Sequence, residues 1–158
     1  RDWSSDVCSS DLHVSIDCGG PLCSCGSRGC LELYANTHVV LNKLRSVTGL
    51  PLEFGEFFQL KDHQGAEEIL SQMVRDISAA LISTMNLFNP ELIVLGHDCM
   101  DWSDKYVEML EDLINEKKMA QGQERIPVRK AHFGKNAQLA GAAANVVNQV
   151  FQGKFLFS

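Results

Sequence analysis

The chain has 158 residues, 45% of them apolar and 22% charged, an ordinary balance for a soluble globular domain with a real core. Its formal net charge is -6 with no basic run, so it repels phosphate backbones, and no nucleic acid is expected to bind through this segment. No apolar stretch reaches membrane-spanning length, no signal-peptide pattern precedes the six cysteines, and a reducing, cytoplasmic setting without membrane contact is expected.

In chain order, Arg1 to Leu12 reads RDWSSDVCSSDL, a polar run with no helical or strand period. Asp6 to Leu12 also resembles the translation of a common sequencing adapter. Residues 1–12 are therefore expected to be a non-native or disordered segment joined to a truncated reading frame, and residues 13–158 to be the folded unit. His13-Val14-Ser15-Ile16-Asp17 alternates as a short strand does, and Gly19-Gly20-Pro21 breaks it to open a loop. After Cys30, the stripe of Leu31, Tyr34, Val39, Leu41 and Leu44 predicts a helix with Glu32 in its first turn.

Val47 to Gly65 reads as a connecting segment whose Phe54, Phe57 and Phe58 are expected to be core rather than ligand-stacking groups. A long helix is predicted from about Ala66 to Asn89, with Ile69, Met73, Ile77, Ala80, Leu81, Met85 and Phe88 inward and Pro90 as its stop. Glu91-Leu92-Ile93-Val94-Leu95-Gly96 is best read as a buried strand of a parallel sheet. A polar amphipathic helix follows over Asp101 to Gly122, with Tyr106, Met109, Leu110 and Leu113 inward, Ser103 as N-cap and Gly122 as stop. Ile126 to Phe133 reads as another strand, at an edge or with Pro127 among its first residues. Asn136 to Phe151 reads as a final helix rich in Ala and Gly.

The chemistry concentrates in His13 to Glu32, HVSIDCGGPLCSCGSRGCLE. One imidazole and three thiols, His13, Cys23, Cys25 and Cys30, make up the Cys3His donor set of closed structural zinc sites. Gly19, Gly20, Gly26 and Gly29 let so short a loop fold back on one ion. The competing account, disulfide or core cysteines, explains poorly a Cys-x-Cys pair followed by Gly-Cys.

This stretch resembles the signature of the ROK family (repressors, uncharacterised open reading frames and sugar kinases), Glu-x-Gly-His, a spacer, then Cys-x-Cys-Gly-x-x-Gly-Cys-x-Glu. Here it runs as His13, then Cys23-Ser24-Cys25-Gly26-Ser27-Arg28-Gly29-Cys30-Leu31-Glu32, with Ser10 and Leu12 where the motif's first Glu and Gly should stand. The resemblance extends to about Phe151 and implies an α/β, actin-like (ribonuclease H-like) fold, of which this chain is most of the C-terminal lobe, incomplete at its first strands. It further implies structural zinc on His13, Cys23, Cys25 and Cys30, and sugar hydroxyls bound by His13 and Glu32. Taken alone, Glu32 reads instead as a carboxylate favoured by the positive end of a helix dipole. With the motif's first Glu missing, this chain is expected to hold zinc if it folds and to bind sugar poorly if at all.

Four protein donors leave no open position on the ion, so the zinc reading is structural and not catalytic. Phosphoryl transfer needs a general base, a phosphate cradle and Mg2+, and none is recognisable here. Asp98, Asp101 and Asp104 read as solvated carboxylates in preference to a metal site, and His38, His63, His97 and His132 pair with no nucleophile.

Two functions fit the resemblance. One is the sugar-binding, zinc-containing part of a sugar-responsive transcriptional repressor, with DNA bound by a helix-turn-helix domain outside this chain. The other is a fragment of an ATP-dependent sugar kinase, glucokinase-like, with ATP and Mg2+ as cofactors. Family kinases carry Gly-Gly where this chain has Gly96-His97, and the tail Gln152 to Ser158 is unlike a typical kinase ending, so the repressor is preferred. A homo-oligomer is expected in either case. A non-functional fragment and a zinc domain of unrelated role are the bland alternatives.

Overall fold

The computed structural model describes residues 10–117 and 124–131. The expected final helix over Asn136 to Phe151, the Gly122 stop and His132 lie outside them. Within them the chain is mixed α/β, a helical layer on a small parallel sheet, preceded by the cysteine loop.

The loop is followed by α1 (Glu32–Ala35) and α2 (Thr37–Thr48), two helices where one was expected. The break is at Asn36, whose extended ψ of 133° ends one helix while its side chain accepts from the His38 N–H to start the next. Gly49, in the left-handed region at φ 70°, closes α2 through a bond to the Arg45 carbonyl. Inside the segment expected to be a connection, α3 (Phe54–Phe57) forms behind a reciprocal capping box of Glu53 and Glu56. As expected, Phe54, Phe57 and Phe58 are buried. Phe58 meets Phe54 edge-on at 5.2 Å, Tyr106 edge-on at 5.5 Å and stacks on Trp102 at 6.0 Å.

The long helix, α4 (Gln64–Phe88), is the spine against which α2 and α5 (Asp104–Lys117) pack. Leu70, Met73, Val74 and Met85 bury its apolar stripe against Val40, Leu44, Leu110 and Ile114. Burying each of the larger of these side chains contributes roughly 1.5–3 kcal/mol. His63 caps its start, accepting from the Ala66 N–H, and Asn89 (φ 45°) ends it before Pro90. Phe88, expected inward, is 76% exposed, because it is the last residue of α4 and the helix makes its final core contact at Met85, three residues earlier.

Strand β1 (Ile93–Leu95) pairs in parallel with β2 (Val128–Lys130), Ile93 opposite Val128 and Leu95 opposite Lys130. A parallel pair needs a crossover, which α5 supplies after a 3-10 turn over His97–Asp101. Helix α5 starts directly after Ser103, the expected N-cap, whose carbonyl accepts from Tyr106 and Val107, while Asp101 belongs to the preceding 3-10 turn. Pro127 precedes β2, as expected, and its carbonyl accepts from Ile93. The expected burial of β1 on both faces is not met among the described residues. Leu95 is buried, whereas Leu92 and Val94, on the opposite face, are 47% and 57% exposed.

Candidate metal and sugar site

The loop folds back on itself through two isolated antiparallel bridges, Ser15 with Cys30 and Leu22 with Arg28. The strand expected over His13 to Asp17 is reduced to that first bridge. His13 instead ends a 3-10 turn over Ser10–His13, and the Gly29 carbonyl draws in both the Ile16 and Asp17 N–H groups, bending the chain away from a ladder.

Gly29 is what makes the fold-back tight. At φ 62°, it passes so close to Asp17 that a Cβ would stand 1.7 Å from the Asp17 carbonyl oxygen. Its N–H donates to the Pro21 carbonyl, and Cys23 N–H donates to Ser27, setting the two arms of the loop side by side. Gly26, by contrast, turns the tip at φ 90° with nothing within 4 Å of its Cβ position.

These bonds bring together all four donors named from the sequence. One ligand atom each from His13, Cys23, Cys25 and Cys30 lies within 4.8 Å of the others. The Cys23 Sγ is 3.5 Å from His13 Nδ1, and the Cys25 Sγ is 3.6 Å from the Cys30 Sγ. A tetrahedral zinc with ordinary Zn–N and Zn–S bonds has ligand–ligand edges of about 3.4–3.8 Å. The donor set fits zinc in chemistry, and those two pairs fit it in spacing, while the four atoms together lie within 4.8 Å.

The thiols differ in environment. Cys25, exposed at the tip, has its pKa lowered to about 7, foremost by the Ser27 backbone N–H and then by the neighbouring thiols. Cys30 is fully buried, and that burial, with the adjacent Cys25 and Cys23 sulfurs, pushes its pKa up to about 12. A cation in the loop would take the place of the proton on Cys30, so that the buried thiolate is coordinated instead of standing as a bare charge.

Glu32, the first residue of α1, turns its carboxylate into the same corner. Its Oε2 is 3.4 Å from His13 Nδ1 and 3.5 Å from the Cys23 Sγ. His13 and Glu32 remain part-exposed, so the corner is open to a small polar ligand.

Three supporting residues were not singled out from the sequence. Asp17 accepts from the Tyr34 hydroxyl at 3.4 Å and from the Gly19 N–H at 3.0 Å. Arg28 reaches the Gly20 carbonyl at 3.2 Å. Asp, Tyr and Arg at such spacings carry no metal or nucleophile signature, so nothing in the sequence marks them.

The remaining ionisable candidates do not gather into a second site among the described residues. Asp98 accepts from Thr37 and sits beside His97, while Asp104 accepts from Lys130. His63 is a helix cap and His38 is exposed.

The helix-backed parallel strands and the four-donor loop define a mixed α/β protein with a Cys/His cluster that could hold a metal ion. The chain belongs to the ROK family, whose sequence pattern matches residues 12–149. It is 27% identical over 155 residues to the DNA-binding transcriptional repressor Mlc of Escherichia coli (strain K12), covering 91% of this chain and 38% of that protein. It is 29% identical over 132 residues to an N-acetylmannosamine kinase of Vibrio cholerae serotype O1, covering 83% of this chain and 45% of the kinase. In structure it is similar to a ROK hexokinase from Thermus thermophilus, with a TM-score of 0.68, 31% identity and coverage of 85% of this chain and 47% of that one. The chain thus spans less than half the length of these relatives. Its architecture is that of the actin-like ROK proteins, and its relatives include both repressors and sugar kinases. No helix among the described residues is long and apolar enough to cross a membrane.

Proposed function

We propose that this chain is most of the C-terminal lobe of a cytoplasmic, homo-oligomeric, sugar-responsive ROK repressor, with a structural zinc loop over residues 13–32. The observation that carries the sugar and metal part is the meeting of His13 with Glu32 beside three thiols. His13, Cys23, Cys25 and Cys30 would hold zinc, which supplies a rigid closure of the loop. With Nδ1 turned to the thiol cluster, the other ring nitrogen of His13 is left to donate to a sugar hydroxyl. The Glu32 carboxylate accepts from neighbouring hydroxyls, and such charge-assisted bonds are the stronger kind. Residues 1–12 are read as non-native to this unit, and an unbroken reading frame through them in the source DNA would refute that.

One observation favours the repressor over the kinase. His97, directly after β1 and Gly96, occupies the left-handed region at φ 55° with its side chain 75% exposed. Parallel-sheet proteins bind ligands at the carboxyl ends of their strands, and an imidazole there obstructs the close backbone approach that Gly-Gly permits. The alternative is a fragment of an ATP- and Mg2+-dependent sugar kinase. The test is an ATP-dependent phosphorylation assay of the full-length protein against a panel of hexoses, run beside operator binding with and without the same sugars. Turnover of any hexose overturns the repressor reading, and sugar-dependent release of DNA supports it. If chelation of the metal leaves sugar affinity unchanged, the coupling of zinc to the sugar site is wrong.

A further inference from the structure

The metal loop holds its sulfurs in unequal positions. Cys25 is the exposed sulfur of the cluster, whereas Cys23 and Cys30 are 4% and 0% exposed. The Cys25 Sγ faces the Cys30 Sγ at 3.6 Å, so the pair needs about 1.5 Å of approach to reach the disulfide bond length of about 2.05 Å. The Cys23 sulfur, near both of the others, also meets His13 Nδ1 and Glu32 Oε2, each at 3.5 Å, contacts that the Cys25–Cys30 pair does not share.

The backbone favours the same pair. Cys30 is pinned by its bridge to Ser15 and by the Leu31 N–H on the Val14 carbonyl. Cys25 sits on the tip beside Gly26, where no atom stands within 4 Å of the glycine's Cβ position. The exposed sulfur is therefore the one free to move, and the buried one the fixed target.

We propose that Cys25 and Cys30 form a peroxide-responsive thiol–disulfide pair that empties the metal loop when oxidised, an inference that rests on the reading of the loop as a zinc centre. The Cys25 thiolate attacks one oxygen of hydrogen peroxide, the O–O bond breaks, and Cys25 sulfenic acid and hydroxide result. The Cys30 sulfur then attacks the Cys25 sulfur, and the S–O bond breaks as the S–S bond forms. The departing hydroxide takes up a proton as water. Two electrons pass from the sulfur pair to the peroxide. One event thereby removes two of the four donors and leaves only His13 and Cys23, too few to close a structural site.

The experiment treats the zinc-loaded full-length protein with hydrogen peroxide. Released metal is read with a colorimetric zinc chelator, and disulfides are mapped by non-reducing peptide mass spectrometry. The expected result is about one zinc released per Cys25–Cys30 disulfide, reversed by dithiothreitol with added zinc. Cys18→Ser should behave as the unmodified protein, because Cys18 is exposed outside the donor set. A disulfide joining Cys25 to Cys18 or Cys23 overturns the proposal. So does metal release with sulfinic or sulfonic acid at Cys25 and no disulfide, or full retention of metal after the thiols have been challenged. Protein that neither contains nor takes up zinc before oxidant is added overturns the metal-centre reading itself and this proposal with it, and the initial metal content separates that failure from the others.

Discussion

Glu32 Oε2 and His13 Nδ1 stand 3.4 Å apart at the entrance of the cysteine loop, joining the first turn of α1 to the residue that opens the motif. The contact places the Glu32 carboxylate beside the imidazole, so that on the proposed reading it is within reach of a hydroxyl held by the other ring nitrogen of His13. Glu32→Gln keeps the shape but removes the charge. The full-length protein should retain zinc by elemental analysis while sugar affinity, read by calorimetry, falls by about 1.5–3 kcal/mol, the worth of a hydrogen bond to a charged group. Unchanged affinity would remove Glu32 from the sugar site.

Gly29 and Gly26 provide a paired test of the loop. Gly29→Ala drives a Cβ into the Asp17 carbonyl and is strained by φ 62°, so a loss of at least about 1–3 kcal/mol is expected, with reduced zinc occupancy. Gly26→Ala meets no atom, and only its φ of 90° penalises it, so its cost should be the smaller of the two. Thermal unfolding with and without chelator would rank them. Equal effects would mean that the approach to Asp17 does not hold the loop.

Glu111 ties β2 to α5. Its carboxylate accepts from the Val128 N–H at 2.9 Å and from Arg125 at 2.8 Å, and the Val128 N–H foremost, with Arg125, holds its pKa below the ordinary value. A depressed carboxyl contributes stability above its unfolded pKa of about 4.3 and loses it as pH falls through the folded value. Glu111→Gln should therefore be less stable than the parent at pH 7, by about 1–3 kcal/mol, with the gap closing below about pH 4. Urea unfolding over pH 3–7 measures this directly, and a gap that widens in acid would contradict it.

His97→Gly should relieve left-handed strain at the end of β1, raising stability by up to about 1 kcal/mol. The lost contact to Asp98 is exposed and offsets little of that. If the imidazole is what obstructs nucleotide approach, the same variant of the full-length protein should show a gain in ATP-analogue binding by fluorescence titration. No gain would leave the kinase alternative without this obstacle to explain away.

Much of the helical layer was legible because its signals are local. The stripe over Met73 and Met85, the Asn89-Pro90 stop and the inward Tyr106 and Leu110 follow from a 3.6-residue period and from backbone chemistry. What misled were places where one tertiary contact outweighs a pattern. The His13 to Asp17 alternation reads as a strand, yet one carbonyl, that of Gly29, bends it. Phe88 continues the apolar period, but α4 outruns the core it packs on. At Asn36 the capping chemistry of a single side chain breaks a stripe that is continuous in apolar period.

The sequence by itself determined the family and named the four side chains that the fold gathers, because Cys-x-Cys and Gly-Cys at short spacing constrain chemistry whatever the surrounding fold. It also indicated two strands separated by a helix, while their direct parallel pairing, Ile93 opposite Val128, came from the fold. Only the tertiary structure decided that Glu32 meets His13, that Cys25 faces Cys30 on the open side of the loop, and that Glu111 ties β2 to α5. Each joins residues 5 to 19 positions apart across turns whose direction depends on dihedral angles and close approaches, such as that of Gly29 to Asp17, which residue order does not encode locally.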